Sequence, residues 1–367
     1  MPNTVLAQKL APIGKTFKLP GTLVNCTVLT AGNVNSTYKM DYLQADGTEK
    51  SYVAQRINPY VFHYPVEVMK NIDLVTTHIR KKNPHGNTLH FHHTESGENY
   101  FRDKEDDALW RLYTYIPAVS FNNDSDLTVL RNAGAAFGEF QMQLSDFDAS
   151  LLFETIPNFH NTRIRLASLF TDAKADPYGR AGGIRAELAY IASVQPLAVR
   201  LTEAVEAGKI PLRVTHNDTK INNVLFHPKT KQPLAVIDLD TVMPGLVMHD
   251  FGDAVRFGAS TAAEDEEDLS LVGLDLRRYR AFAEGFIGKT REALAPCEIE
   301  SMALGAVTIT IELAARFLDD YLLGDKYFKV SYEGHNRVRA ACQIRLARDM
   351  LKKYDTMCKI IRDLTKE

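Results

Sequence analysis

The amino-acid sequence predicts an α+β fold in two parts, a sheet-rich N-terminal part with one packed helix and a larger, mostly helical C-terminal part. Three observations predict this class. The N-terminal part contains alternating, β-branched runs separated by turn residues, helical periodicity dominates after Ala118, and 367 residues are too many for one ordinary hydrophobic core. We expect the first part to span residues 1–116 and the second to span residues 117–367.

The N-terminal part shows the patterns of strands that alternate with tight turns, together with two helices. Breakers such as Asp46-Gly47 separate the alternating runs, and Pro65 is placed as an early residue of a helix. The predicted elements are a helix within residues 1–20, strands at 22–30, 36–42 and 51–57, a helix from about Val66, and strands at 87–94 and 109–116.

The C-terminal part shows apolar residues at helical spacing over most of its length. An acidic run at residues 264–268 is interpreted as the solvated start of one helix, since carboxylates are favourable near a helix N-terminus. The predicted helices cover residues 124–144, 162–174, 182–206, 265–288, 298–323 and 332–366.

Composition excludes several classes of partner. The net charge is −3, from 43 basic and 46 acidic side chains, and no basic tail or stripe indicates a nucleic acid partner. No secretory leader and no run of 18 apolar residues is present, so we expect no membrane insertion. The cysteines lack metal-ligand spacing and predict reduced thiols in a cytoplasmic protein. They are Cys26, Cys297, Cys342 and Cys358.

The chemistry of the chain is indicated by one constellation of polar residues. An apolar run reaches His216-Asn-Asp218, Asn223 follows five residues later, and a second apolar run ends at Asp238. This matches the kinase catalytic loop, H-R-D-x-x-x-x-N, followed by a metal-binding Asp. A carboxylate positions an attacking hydroxyl, and amide and carboxylate oxygens are ligands that Mg²⁺ prefers. Lys220 lies where such loops often place a contact to the γ-phosphate.

Rival interpretations are weaker. The motif residues would also fit as buried polar groups on strands, but the spacing, the following strand and the terminal Asp238 coincide. Gly288-Lys-Thr290 resembles the end of a phosphate loop, yet Ala283 stands where that loop needs Gly, after a helical rather than a strand segment. No G-x-S-x-G, H-E-x-x-H or G-x-G-x-x-G motif is present.

The chain resembles the aminoglycoside phosphotransferase/choline kinase superfamily along nearly its whole length, and within it a branch of sugar 1-kinases that act on N-acetylhexosamines. The HxDxxxxN and IDxD elements are shared across the superfamily, whereas the blocks around Arg256 and Arg316 are narrower. The blocks that carry the resemblance lie at residues 32–38, 110–113, 212–220, 237–241, 243–245, 250–253, 256–260 and 316–327.

The resemblance implies a bilobal protein-kinase-like fold that binds ATP and Mg²⁺, with a small-molecule sugar as acceptor. Asp218 would be the catalytic base, and Asn223 and Asp238 the metal ligands, with Asp240 close enough to assist. ATP would lie near the 113–118 connection. The nucleotide contacts would be Thr37, Arg56, Tyr115 and Ile116, and the sugar contacts Asn33, Phe257, Arg316 and Tyr327.

Two alternatives stay open at the level of sequence. A choline, homoserine or aminoglycoside kinase would share every catalytic residue, although Arg256 and Arg316 favour a neutral acceptor rich in hydroxyl groups. A non-catalytic nucleotide-binding module is the second alternative, and the intact Asp218, Asn223 and Asp238 argue against it.

Overall fold

The computed structural model describes residues 4–29, 35–59, 61–84, 88–104, 106–122 and 126–366. The chain divides into two compact units. Unit 1 consists of Met1–Ala118, Leu151–Ile156 and Leu239–Val242, and unit 2 consists of Val119–Ser150, Pro157–Asp238 and Met243–Glu367. Two short segments of unit 1 are therefore inserted, in sequence, within the helical part.

Unit 1 contains a five-stranded antiparallel sheet in the order β1-β2-β3-β5-β4 and two helices. The predicted fold class is confirmed by this sheet and by the mainly helical second unit. The elements are α1 (Thr4–Thr16), β1 (Thr22–Leu29), β2 (Ser36–Leu43), β3 (Glu49–Arg56), α2 (Pro65–Lys82), β4 (Phe101–Arg102) and β5 (Leu109–Thr114).

Alternation along the strands of unit 1 sorts their side chains between two faces. Tyr52 and Ala54 of β3 pack in one apolar cluster with Trp110 and Leu112 of β5. Helix α1 contributes Leu10 and Ile13 to the same cluster, and Phe17, directly after the helix, also belongs to it. Gln55 and Arg111, which are direct partners in the β3–β5 register, therefore point to the opposite face.

The strand predicted at residues 87–94 was wrong in extent, since its described residues form only an isolated bridge between Phe91 and Tyr113. His92 N donates to Leu112 O and Thr114 N donates to His90 O, so this stretch follows β5 without forming a full ladder. The last strand was also predicted too long, because β5 ends at Thr114 and not at residue 116.

Unit 2 is mostly helical, with two small two-stranded sheets, β6 with β9 and β7 with β8. Its helices are α3 (Leu127–Gln143), α4 (Thr162–Ala175), α5 (Arg185–Ala198), α6 (Arg200–Glu206), α7 (Val247–Gly258), α8 (Leu276–Thr290), α9 (Pro296–Glu300), α10 (Met302–Leu322), α11 (His335–Lys352) and α12 (Tyr354–Lys366). Its strands are β6 (Arg213–Thr215), β7 (Val224–Phe226), β8 (Pro233–Val236) and β9 (Met243–Gly245).

The helix predicted at 265–288 was wrong at its start, because α8 begins only at Leu276. Asp275 is its N-cap and accepts from the backbone N–H groups of Arg277 and Arg278, which sets the first turn there. The acidic run 264–268 lies in the preceding loop.

Three other predicted helices are interrupted. The stretch 182–206 divides into a 3₁₀ turn, α5 and α6, and Pro196, which has no backbone N–H, lies in the last turn of α5. The stretch 298–323 divides at Ser301 between α9 and α10, and 332–366 divides at Lys353 between α11 and α12.

Gly288-Lys-Thr290 forms the last turn of α8 and has no strand before it, so the residues do not form a phosphate loop. Among the described helices, none is long and apolar enough to cross a membrane.

Helices α3 and α8 approach each other closely through glycines. A Cβ on Gly285 of α8 would lie 2.0 Å from the backbone oxygen of Arg131, and one on Gly134 of α3 would lie 2.1 Å from that of Phe282. Both contacts are with backbone atoms, which cannot move aside as a flexible side chain does. Gly288, three residues further along α8, has nothing within 4 Å of the same position.

We therefore expect opposite effects from one substitution at two positions of α8. Gly285→Ala should destabilise the protein by about 1–3 kcal/mol through overpacking. Gly288→Ala should stabilise it by about 0.5–1 kcal/mol, because it removes the helix penalty of glycine. Urea unfolding measures both changes, and equal free energies of unfolding for the two variants would contradict this packing.

Candidate active site

The predicted catalytic loop follows strand β6 in unit 2. The Asp218 side chain is 29% exposed, and its Oδ1 lies 3.4 Å from Nζ of Lys220. Asn223, in a 3₁₀ turn, donates from Nδ2 to the main-chain oxygen (2.8 Å) and to Oδ2 (3.2 Å) of Asp218. The structure thus places the three predicted residues side by side.

The charge of Lys220 is favoured at this place. The adjacent Asp218 carboxylate is the main cause that raises the pKa of Lys220, burial opposes the shift, and Glu264 and Asp253 add to it. The ammonium group is therefore retained at neutral pH beside a carboxylate. Such a group can bind a phosphate oxygen.

Two carboxylates of helix α7 hold the backbone of the loop. Asp250 accepts from the backbone N–H groups of His216 (2.8 Å) and Asn217 (2.7 Å), and Asp253 accepts from that of Thr219 (3.1 Å). Asn217 has φ of +63°, a left-handed conformation that Asn adopts more easily than most residues. Sequence reasoning gave Asp250 and Asp253 no role, although both lie in a block that carries the resemblance.

His216 connects the loop to the following hairpin. Its Nδ1 accepts from the backbone N–H of Asp218 (3.3 Å), and its Nε2 lies 2.8 Å from the carbonyl oxygen of Ile237. Because one nitrogen accepts and the other faces an acceptor, these partners select the neutral tautomer with its proton on Nε2. The first residue of the motif therefore orients the backbone at Asp218.

Asn223 and Asp238 lie at the same end of the β7–β8 hairpin. Val224 pairs with Val236, and Ile237 N donates to Asn223 O (2.9 Å), so Asp238 is the next residue after this contact. Asp238 is exposed, with φ of +62°. Mg²⁺ prefers oxygen ligands. The amide oxygen of Asn223 and the carboxylate of Asp238, at one end of a hairpin, are therefore of the chemical type that the predicted Mg²⁺ would need.

Asp240 is placed in unit 1, where it forms a buried ion pair with Arg111 of β5. Both side chains are at most 3% exposed, and Arg111 contacts both carboxylate oxygens, with NH2 3.0 Å from Oδ2. Oδ2 also accepts from Asn35 Nδ2 at 2.7 Å. Both oxygens of Asp240 thus have protein donors, and its role at a metal stays a prediction.

The Arg111 contact continues across the sheet of unit 1. Arg111 Nε donates to Gln55 Oε1 (2.9 Å), and Gln55 Nε2 donates to the hydroxyl of Thr37 (3.0 Å). A buried arginine therefore occupies the face towards which Gln55 points. Sequence reasoning placed a cation at Arg56 and missed Arg111, although Arg111 stands in the Trp110-Arg-x-Tyr113 block.

The predicted nucleotide contacts are distributed over unit 1. Arg56 lies on the α1 face and pairs with Asp106 at 2.7 Å, on the side away from Gln55. Thr37 is buried, and Ile116 is half-buried in the segment that follows β5. Nζ of Lys39 lies over the ring of Tyr115, 4.9 Å from its centre. Their contact with a nucleotide stays a prediction.

Two of the predicted sugar contacts lie together in unit 2. Arg316 NH2 is 3.3 Å from the hydroxyl of Tyr327, and the guanidinium lies 4.9 Å from the ring centre of Phe159. Tyr327 is 60% exposed, so this pair is open to solvent. Asn33 lies outside the described residues.

Phe257 lies on α7 and lines a cavity of about 120 Å³ with Ser260, Ala262 and Gln343. Arg256 also lines it, but its guanidinium is 2% exposed and bonds to Asp253 (2.8 Å) and Glu264 (2.6 Å). Burial alone would lower the pKa of Arg256, but the two carboxylates have the larger effect, so the pKa is raised. The charge of Arg256 is thus neutralised internally, which removes it from the argument about the acceptor.

The antiparallel sheet of unit 1 and the HxDxxxxN loop of unit 2, with an Asp after the next hairpin, define the class of kinase-like phosphotransferases. A profile of the phosphotransferase enzyme family matches residues 25–285, which is well over half of the sequence. The chain belongs to this family.

Solved structures show the same fold at low sequence identity. A microcompartment-associated aminopropanol kinase has a TM-score of 0.62 and 15% identity, over 96% of this chain and 98% of that chain. An amicoumacin kinase in complex with AMP-PNP and Ca²⁺ has a TM-score of 0.59 and 12% identity, over 99% and 96%. A choline kinase from Cryptosporidium parvum has a TM-score of 0.56 and 10% identity, over 99% and 98%.

We expect the Arg111–Asp240 pair to be necessary for the stability of unit 1. Asp240→Asn should lower the free energy of unfolding by about 3–5 kcal/mol, because it leaves the buried guanidinium without its counter-charge. Asp106→Asn is the matched control, since it breaks the more exposed pair with Arg56 and should cost less than about 1 kcal/mol. Equal destabilisation in chemical denaturation would contradict the assigned burial.

Proposed function

We propose that this protein transfers the γ-phosphoryl group of ATP to the anomeric hydroxyl of an N-acetylhexosamine and forms the sugar 1-phosphate. The observation that carries the chemistry is the arrangement of Asp218, Lys220 and Asn223 in one loop, with Asp238 at the adjacent hairpin end. The sugar branch is supported by the resemblance at the blocks around Arg256 and Arg316, and by the open Arg316–Tyr327 pair.

Asp218 is the base in this proposal. Its carboxylate is partly exposed, so an acceptor hydroxyl can approach it, and Asn223 holds the other side of the group. The carboxylate orients the hydroxyl and takes its proton as the new P–O bond forms and the bond from the γ-phosphorus to the departing ADP breaks. An anomeric hydroxyl is more acidic than an ordinary alcohol, so a carboxylate suffices. Catalysis is otherwise positioning and charge neutralisation.

Asn223 and Asp238 would hold Mg²⁺ in this proposal. Asp240, two residues after Asp238, would be a further carboxylate that assists in binding the ion. When bound, the metal ion neutralises charge on the nucleotide phosphates. Asn223 donates through Nδ2 to Asp218, which orients its amide so that Oδ1 faces away from that carboxylate. Lys220 would contact the γ-phosphate. Thr37, Arg56, Tyr115 and Ile116 are the proposed contacts to the rest of the nucleotide.

The acceptor contacts are Arg316, Tyr327, Phe257 and Asn33 in this proposal. Arg and Tyr supply directional donors for sugar hydroxyls, and Phe supplies an apolar face. A guanidinium at the acceptor position also repels a cationic amine. Because Arg256 is paired internally, Arg316 is the arginine that would face the acceptor in this proposal.

An assay of ADP release with ATP and Mg²⁺ tests the acceptor class. The panel consists of N-acetylhexosamines, hexoses without the acetamido group, choline and an aminoglycoside. We expect the highest kcat/KM with an N-acetylhexosamine. A preference for choline or the aminoglycoside would replace the sugar by another hydroxyl acceptor of the superfamily, and no ADP above background would favour a binding module.

Asp218→Asn should reduce turnover to background, because the amide cannot take the proton of the acceptor. Binding of ATP should stay within about three-fold of the wild type, since Asp218 faces the acceptor and not the nucleotide base in this proposal. Calorimetry of the same preparation measures that binding. Turnover close to that of the wild type would rule out Asp218 as the base.

Arg316→Gln should raise the KM for the sugar by about ten-fold, because a charge-assisted hydrogen bond contributes about 1.5–3 kcal/mol. The KM for ATP should stay unchanged. Arg163→Gln is the matched control, since Arg163 lies on the surface of α4 and pairs with Glu203 and Glu206. An unchanged KM for the sugar in Arg316→Gln would remove Arg316 from the acceptor site.

A further inference from the structure

A partly buried histidine contacts the candidate catalytic loop. The side chain of His160, two residues before α4, is 13% exposed, and its Nδ1 lies 2.8 Å from Oε1 of Glu312 on α10. Its Nε2 lies 3.1 Å from the main-chain oxygen of Asn217. The other oxygen of Glu312 accepts from the hydroxyl of Thr162 at 2.6 Å.

The two partners of His160 determine its protonation. An ionised carboxylate and a main-chain carbonyl accept hydrogen bonds and donate none. A neutral imidazole has one N–H, so it can donate to only one of these two oxygens. The lone pair of its other ring nitrogen would then face the second oxygen, which is also an acceptor. Both contacts are therefore hydrogen bonds only if His160 is an imidazolium.

The surroundings agree with one positive and one negative charge at this place. Burial alone would raise the pKa of Glu312, but the charge and hydrogen bond of His160 and the Thr162 hydroxyl lower it to about 2. His249, whose ring lies 5.6 Å from that of His160, has a pKa lowered to about 4 by burial and by the nearby His160 charge. His249 is thus neutral, and Glu312 carries the counter-charge.

Asn217 is the residue through which His160 reaches the reaction. Asn217 immediately precedes Asp218, has φ of +63°, and donates its backbone N–H to the buried Asp250. The contact from His160 fixes its carbonyl, so the peptide groups on both sides of Asn217 are held. Rotation of the second peptide would swing the Asp218 side chain.

We propose that His160 is a positioning residue: held as an imidazolium by Glu312, it fixes the carbonyl of Asn217 and thereby aims the carboxylate of Asp218. The proposal rests on the role of Asp218 in the proposed function. Glu312 of α10 and His249, Asp250 and Asp253 of α7 are ionisable groups that interact electrostatically with His160.

Two amide substitutions separate the two contacts of His160. The amide nitrogen of Asn at 160 takes the place of Nδ1, facing Glu312, whereas that of Gln takes the place of Nε2, facing Asn217. We expect His160→Asn to lower kcat at least ten-fold with both KM values within two-fold, and His160→Gln to restore most of the loss. His227→Asn, in the turn between β7 and β8, is the matched control with unchanged kcat.

Two measurements on the full chain are independent of the acceptor. Long-range ¹H–¹⁵N spectra at neutral pH should show an imidazolium signal in the wild type that disappears in both His160 variants. Hydrogen exchange of the backbone amides at 216–219 should be at least ten-fold faster in His160→Asn than in His160→Gln.

Equal kcat values for His160→Asn and His160→Gln, or a neutral imidazole at position 160 in the wild type, would overturn the proposal. Should His160→Asn fail to fold, the wild-type spectrum and the kcat of His160→Gln decide. If Asp218→Asn retains turnover while the exchange and spectra behave as expected, the proposed function fails and the contact of His160 with the loop stands.

Discussion

The buried carboxylate of Asp250 is the constraint on which the candidate catalytic loop depends. It accepts two consecutive backbone N–H groups of the loop, and Gln141 of α3 donates to the same carboxylate at 2.8 Å. Burial raises the pKa of Asp250, and the backbone donors oppose the shift. A buried carboxyl without partners is costly, so the folded protein satisfies it only when His216 and Asn217 adopt this conformation.

Helix α7 can hold the loop because it is itself closely packed. A Cβ on Gly252 would lie 2.6 Å from the backbone of Gly305 in α10, so these two helices touch through their main chains. Helix α10 carries Glu312, the partner of His160. Helix α7 thus holds the loop through the N–H groups of His216 and Asn217. Helix α10 holds it through Glu312 and His160, and His160 contacts the carbonyl of Asn217.

Strands β1, β2 and β3 and the proximity of Asn223 to Asp218 were predictable because each depends on short-range sequence patterns. Alternation in β2 and β3, and the spacing from Asp218 to Asn223, are visible without tertiary information. The start of α8 was not predictable from such patterns, because the acidic residues 264–268 lie in a loop and do not begin the helix. Glu264 bonds instead to Arg256, and no local pattern indicates this contact. Arg111 was missed for the same reason, since its partner Asp240 is 129 residues away.

The acceptor residues show the same limit. In the sequence, Arg256 and Arg316 both favoured an acceptor rich in hydroxyl groups. In the structure, Arg256 forms ion pairs with Asp253 and Glu264, so Arg316 is the arginine of the two that supports this acceptor. The histidine at position 160 gives no local sign of a role, since it depends on a residue 152 positions later. Long-range pairs of polar groups are what sequence patterns leave undetermined.

The ³¹P NMR spectrum of the product formed from ATP, Mg²⁺ and an N-acetylhexosamine shows which hydroxyl of the sugar receives the phosphoryl group. Transfer to the anomeric hydroxyl predicts a phosphomonoester resonance split into a doublet by one proton, which a ¹H–³¹P correlation spectrum identifies as the proton on C1. A resonance coupled to a proton on C3, C4 or C6, or inorganic phosphate as the only new species besides ADP, would contradict this assignment.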